Sequence, residues 1–136
     1  MTDCLFCKIV NGEIPAHKVY EDKDVLAFLE INPDNSGHTL VISKNHSENL
    51  LDTSGEDLRT LISIIPKIAK GVCESLDYKG FNLLVNNGSV AGQLVPHLHF
   101  HIIPRKEDDG HEHFVGEPYQ DGEIEQVAEK IRKILK

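Results

Sequence analysis

The 136-residue sequence has no tryptophan, one methionine and only three cysteines, and none of its apolar stretches is long enough for a membrane span or a signal peptide. A soluble cytoplasmic protein with no membrane partner is expected. Basic residues are also in short supply: 14 Lys and Arg stand against 22 Asp and Glu, a formal charge of -8. Non-specific binding to nucleic acid needs clustered cations that release counterions from the phosphate backbone, so no nucleic-acid partner is expected. Any bound phosphate should be small and locally held. Three cysteines do not make a disulfide framework; Cys4 and Cys7, spaced C-x-x-C, look more like half of a metal site. There is no internal repeat and no low-complexity tract. The length suits a single domain over 1–136, able to hide about two-thirds of its unfolded surface.

The chain reads as an α+β domain, with a mainly antiparallel sheet of about five strands, one long kinked helix and a C-terminal helix. A short helical turn over Cys4 to Val10 is interrupted by Asn11, Gly12 and Pro15. Val19 to Glu21 and Val25 to Leu29, joined by "DKD", suit a hairpin, and "HTLVIS", "FNLLVNNG" and "LHFHII" supply three further strands. "TSGEDLRTLISIIPKIAKGVCESL" has helical periodicity, with Leu58, Leu61, Ile62, Ile65, Ile68, Ala69, Val72 and Leu76 on one face and Thr53 and Glu56 as a capping box. Pro66 inside it cannot donate to the Ile62 carbonyl and crowds it, which predicts a kink. Ile124, Val127, Ala128, Ile131, Ile134 and Leu135 repeat at helical spacing near the C-terminus. "RKEDDGHEHFVGEPYQDG" reads as a mobile surface loop.

Three of the eight histidines stand in "VPHLHFHIIPR" at every second position. On a strand this places His97, His99 and His101 on one face while Leu98, Phe100 and Ile102 enter a core. The rings, about 6.6 Å apart at Cα, can converge on one small ligand. A plain solvated face does not call for imidazole, since Ser, Thr, Lys or Glu would serve. Two chemical readings stay open: a metal site using two or three of the rings, and phosphoryl chemistry in which one ring attacks phosphorus while its neighbours bind oxygens and handle protons. "NNGSVAGQLV", just ahead of the row, adds small residues whose backbone N–H groups could approach a phosphate.

"HLHFHII", together with "LFCKIV", "GEIPAHKVYEDKDVLAFLEINP", "GHTLVISKNH", "NNGSVAGQ" and "HIIPR" in that order, resembles the bacterial branch of the histidine triad family over roughly residues 4 to 105. The resemblance implies a nucleotide hydrolase or transferase acting on the α-phosphate of purine nucleotide conjugates, and a homodimer. His99 matches the nucleophile that takes the nucleotidyl group, His101 the ring at the phosphate and leaving group, and His97 and His38 the supporting histidines. Asn86, Gly92, Gln93 and Leu94 match phosphate-side and leaving-group contacts; Glu30 and Ile31 match the ribose and base positions. Glu30 replaces the family's usual Asp and still offers acceptors to hydroxyls. Leu94 replaces the Ser common among phosphoramidate-cleaving members, leaving only its backbone N–H.

The resemblance further implies that His46 and His97 complete a structural zinc site with Cys4 and Cys7, with no organic cofactor. Cleavage of nucleoside 5'-phosphoramidates is thus the leading expectation. Hydrolysis of dinucleoside polyphosphates differs only in leaving group, and a non-catalytic nucleotide- or zinc-binding regulator is the reading from another class. Attack by a neutral His99 predicts an acid limb within about one unit of the 6.5 reference. Cys73 reads as a core residue, His111 and His113 as parts of an exposed loop, and His17 as structural.

Overall fold

The computed structural model describes residues 3–136. Its sheet is built from β1 (Lys18–Glu21), β2 (Val25–Leu29), β3 (Thr39–Ser43), β4 (Gly80–Val85) and β5 (His99–Arg105), all antiparallel in the order β1-β2-β3-β5-β4. Helices α1 (Leu5–Val10), α2 (Gly55–Leu76) and α3 (Glu123–Leu135) complete the α+β fold, with a 3-10 turn at Ser89–Ala91.

Both faces of the sheet are covered. On one, Val25, Ala27, Val41, Leu98, Phe100 and Ile102 pack with Leu61, Ile65, Ile68, Ala69 and Val72 of α2. On the other, Leu26, Phe28, Leu40 and Ile42 meet Cys4, Phe6 and Ile9 of the α1 region. This explains why "VLAFL" and "TLVIS" read as nearly continuous apolar runs: strands buried on both sides have no polar face to alternate with. The direct pairs Ile42↔His99 and Leu40↔His101 put both imidazoles on the α1 side of the sheet.

Helix α2 runs unbroken across Pro66, which is exposed together with Ile62, so water can serve the carbonyl left without an N–H partner. Its cap differs from the expected Thr53–Glu56 box. Ser54 is the N-cap and accepts from Asp57 N (3.1 Å), while the Thr53 hydroxyl donates to the Asn49 carbonyl (2.6 Å). Ile62 and Leu76 lie off the buried stripe. Strand β5 contains Pro104 without losing a ladder bond on the β3 side, because β3 has ended opposite Ile102 and the Pro104 carbonyl turns to Asn35 Nδ2 (2.8 Å). Helix α3 forms where periodicity places it, yet none of its residues is buried. Among the described residues no helix is long and apolar enough to cross a membrane.

Candidate active site

Strand β5 begins at His99; His97 sits in the bend before it, held by Leu98 N donating to the Ser47 carbonyl (2.8 Å). The three rings nevertheless stay on one side, with Phe6 edge-on to His97 and His99. The His99 and His101 centroids are 4.9 Å apart, and His38, from the turn before β3, lies 5.1 Å from His101. The rings converge more closely than their Cα spacing suggests.

The hydrogen bonds assign the protons, because carbonyls only accept and backbone amides only donate. His99 Nδ1–H donates to the His97 carbonyl (2.7 Å), so a neutral His99 has a bare lone pair on Nε2. On the other side, Asp34 N–H donates to His38 Nδ1 (3.1 Å), which leaves the His38 proton on Nε2, directed at His101 Nδ1 (2.9 Å). His101 must then carry its proton on Nε2. Among the described residues, that Nε2 is the one buried side-chain nitrogen or oxygen without a hydrogen-bond partner. Two neighbouring rings thus offer a lone pair on one and an unspent N–H donor on the other.

Burial holds the rings in these neutral forms. It lowers the pKa of His99 and of His38 below the ordinary imidazole value. For His101 burial, reinforced by His99 and His38, brings the value to about 4 against the weaker pull of Glu30 and Asp34. An acid limb set by His99 would therefore lie on the low side of the 6.5 reference.

A cavity of about 340 Å³ is lined by Leu5, Phe6, Ile9, Ile14, Phe28, Val95, Glu30 and Ile31; none of the triad rings lines it, but Phe6, which packs edge-on to His97 and His99, forms one of its walls. Its size and apolar walls suit a flat heterocycle. Glu30 accepts weakly from Asn32 N (3.3 Å), keeping its other oxygen available. Sequence reasoning missed the apolar wall, although "LFCKIV" already spaces Phe6 and Ile9 on one helical face, and it left His17, which also lines the cavity, without a role.

At the far end of β4, Asn86 and Gly92 lie together: a Cβ on Gly92, whose φ is +93°, would come 3.6 Å from Asn86 Nδ2. Leu94 is 92% exposed. The Gln93 side chain is already committed, accepting from Gly88 N (2.9 Å) and donating to the carbonyls of Glu48 (2.6 Å) and Val95 (3.0 Å). It staples the small-residue turn.

Cys4, Cys7, His46 and His97 form a second constellation whose four donor atoms lie within 4.8 Å of one another. His97 is fully buried, and its Nε2–H donates to the Ser43 carbonyl (2.9 Å), which leaves Nδ1 bare and facing Cys4 Sγ (3.3 Å), Cys7 Sγ (3.6 Å) and His46 Nδ1 (3.1 Å). Burial, helped by Cys4, pushes the Cys7 thiol up to about 11. A cation between the four atoms would reverse that penalty by favouring thiolate. These residues can hold a metal ion. Cys73 lies apart, on α2, with Sγ 3.8 Å from the Gly80 carbonyl.

Residues 11–108 match the HIT domain. An adenosine 5'-monophosphoramidase of Saccharomyces cerevisiae is 39% identical over 97% of this chain and 80% of its own length. An adenylylsulfatase of Arabidopsis thaliana is 46% identical over 79% of this chain and 54% of its own. The crystal structure of a Streptococcus mutans protein, SMU.412c, superposes with a TM-score of 0.94 at 44% identity, covering 100% of this chain and 87% of that one.

Proposed function

The chain belongs to the HIT domain family, and from that premise we propose that it cleaves nucleoside 5'-phosphoramidates or related nucleoside monophosphate conjugates through a nucleotidyl-histidine intermediate on His99. The observation that carries this reading is the opposed protonation of two neighbouring rings, bare Nε2 on His99 and Nε2–H on His101. Nε2 of His99 attacks the α-phosphorus while the bond to the leaving group breaks. An amine already protonated on nitrogen departs neutral with the bonding electrons. The ring, now cationic, keeps its Nδ1–H on the His97 carbonyl, which steadies the charge, and His101 Nε2–H donates to a phosphoryl oxygen as negative charge grows there. Water then attacks phosphorus and gives up a proton to solvent, the P–N bond electrons return to His99 Nε2, and the nucleoside monophosphate leaves.

The apolar cavity would take the purine, with Ile31 at its edge and Glu30 accepting from ribose hydroxyls. Asn86, the Gly92 beside it and the backbone N–H of Leu94 would meet the phosphate side, the N–H groups of Gly92 and Gln93 being already given to the Ser89 and Gly88 carbonyls. Gln93 serves there only by shaping the turn. The Cys4–Cys7–His46–His97 cluster fits a structural Zn²⁺: tetrahedral zinc sets its sulfur and nitrogen ligands roughly 3.3–3.8 Å apart, near the spacings seen. When bound, the ion would tie the α1 region to His97. Three free thiols suit a reducing, cytoplasmic setting. A homodimer formed through edge strand β4 is part of the same reading, since Phe81, Leu83 and Leu84 on it are exposed and a twofold pairs such an edge with itself.

Turnover of adenosine phosphoramidate measured beside diadenosine tetraphosphate tests the substrate class. Faster cleavage of the phosphoramidate supports the reading, faster cleavage of the tetraphosphate favours the polyphosphate hydrolase, and no turnover of either favours a binding protein.

A further inference from the structure

The polar stretch after β5 begins as a latch. Asp109, its side chain only 3% exposed, accepts from Arg105 Nε (2.7 Å) and Nη2 (3.0 Å), Asn35 Nδ2 (2.9 Å), and the backbone N–H groups of Lys106 (3.3 Å) and His111 (3.1 Å). The Arg105 guanidinium, with these other donors, holds its carboxyl well below the usual carboxylate range. A carboxylate covered in this way and gathering five donors is not behaving as a solvated loop residue. The donors come from two directions: from the stretch itself, and from the turn that precedes His38. Asn35 Nδ2 also donates to the Pro104 carbonyl, His111 Nε2 to the Asp34 carbonyl (2.6 Å), and Tyr78 to the Ser36 carbonyl (2.8 Å). Every residue from 34 to 36 is therefore held from outside its own turn. The Asp34 amide between these anchors is the group that donates to His38 Nδ1.

We propose that Asp109 is a positioning residue for the reaction: with Arg105, Asn35 and His111 it clamps the turn over 34–36 so that the Asp34 N–H pins His38 Nδ1, and this directs the His101 proton to Nε2. The chain of bonds runs from Asp109 through Asn35 and the Asp34 backbone to His38 Nε2 and His101 Nδ1, each a donor–acceptor pair with one permitted direction at the His38 end. Asp109 touches no reacting atom. Its consequence is a defined donor at the phosphoryl oxygen, worth most in the transition state. The catalytic consequence rests on the function proposed above; the tautomer assignment does not.

The experiment is nitrogen-15 NMR of the histidine rings in the substrate-free protein, wild type beside Asp109→Asn and His111→Ala, with kcat and KM for adenosine phosphoramidate measured on the same preparations. His111 lies on the surface, so its replacement keeps the fold. Wild-type His38 and His101 should each show one protonated Nε2 and one bare Nδ1. Asp109→Asn should move both rings toward averaged nitrogen shifts and lower kcat by about tenfold with KM within about twofold, a part of the 10²–10³ that losing a whole oxyanion donor costs. His111→Ala should show the same change in smaller measure. Wild-type ring shifts in both variants, or in His111→Ala if Asp109→Asn does not fold, overturn the proposal. Absent turnover by the wild type would count against the proposed function, and the ring shifts would still decide the latch.

Discussion

His99 and His101 differ in which nitrogen carries the proton, and that difference is set by single backbone groups: the His97 carbonyl for one ring, the Asp34 amide acting through His38 for the other. The alternation "HLHFH" revealed that the rings share a face, since strand geometry alone requires it. It could not reveal tautomers, because these depend on carbonyls and amides that only the folded backbone brings near. Nor could it show the depressed pKa values, which follow from burial under Phe6 and α1. In the proposed reaction attack requires neutral His99, so activity should be present above its pKa and lost as pH falls through it. With His99, His38 and His101 all below 6.5, the acid limb of kcat/KM should have its midpoint below 6.5; a limb centred above 6.5 would contradict the burial found here. Stability has the same sign. His101 binds a proton near 6.5 when unfolded and near 4 when folded, so its contribution is complete above 6.5 and disappears between about 6.5 and 4. Thermal melts across that window should show a smaller decline in His101→Asn than in wild type.

At the scale of elements, α1 and α2 divide the work. Leu61 of α2 is fully buried in the sheet-facing core, and Leu61→Ala should cost about 2–5 kcal/mol in urea denaturation, the range for truncating a core leucine. Helix α1 has only six residues and stays in place through Phe6, Ile9 and the Cys4–Cys7–His46–His97 cluster. Elemental analysis should find one zinc per chain, and Cys4→Ser or a strong chelator should lower Tm, because a site present only in the folded state adds its binding free energy to folding. Unchanged melting after metal removal would exclude the structural role. The elements themselves were legible: all five strands, α2 and α3 follow from β-prone runs, turn residues and helical periodicity. The errors have local causes. Thr53 and Ser54 are adjacent hydroxyls of similar capping strength, and a bond to Asn49 decided between them. The stretch from Arg105 to His111 looked like solvated loop because its composition is polar; the Arg105–Asp109 pair and Asn35 are what fix it.

For the whole molecule, edge strand β4 and helix α3 both leave apolar side chains uncovered, among them Phe81, Leu83, Ile124 and Ile131. In a dimer through β4, replacing Phe81 and Leu83 together by Lys should halve the mass seen by light scattering while leaving the fold intact, since lysine on an edge strand opposes pairing. A wild type that is already monomeric at micromolar concentration would remove this part of the reading. The proposed reaction turns on one bond, between phosphorus and His99 Nε2. It is tested most directly by mixing excess enzyme with adenosine phosphoramidate, quenching at neutral to alkaline pH, and locating any adenylyl group by mass spectrometry of peptides. An adenylyl group on His99 that forms and decays at rates compatible with turnover, and is missing in a folded, nucleotide-binding His99→Ala whose turnover is down by roughly 10³ or more, is the result expected. Undiminished turnover by His99→Ala, or a single turnover that yields product with the adenylyl group on another residue, would contradict it.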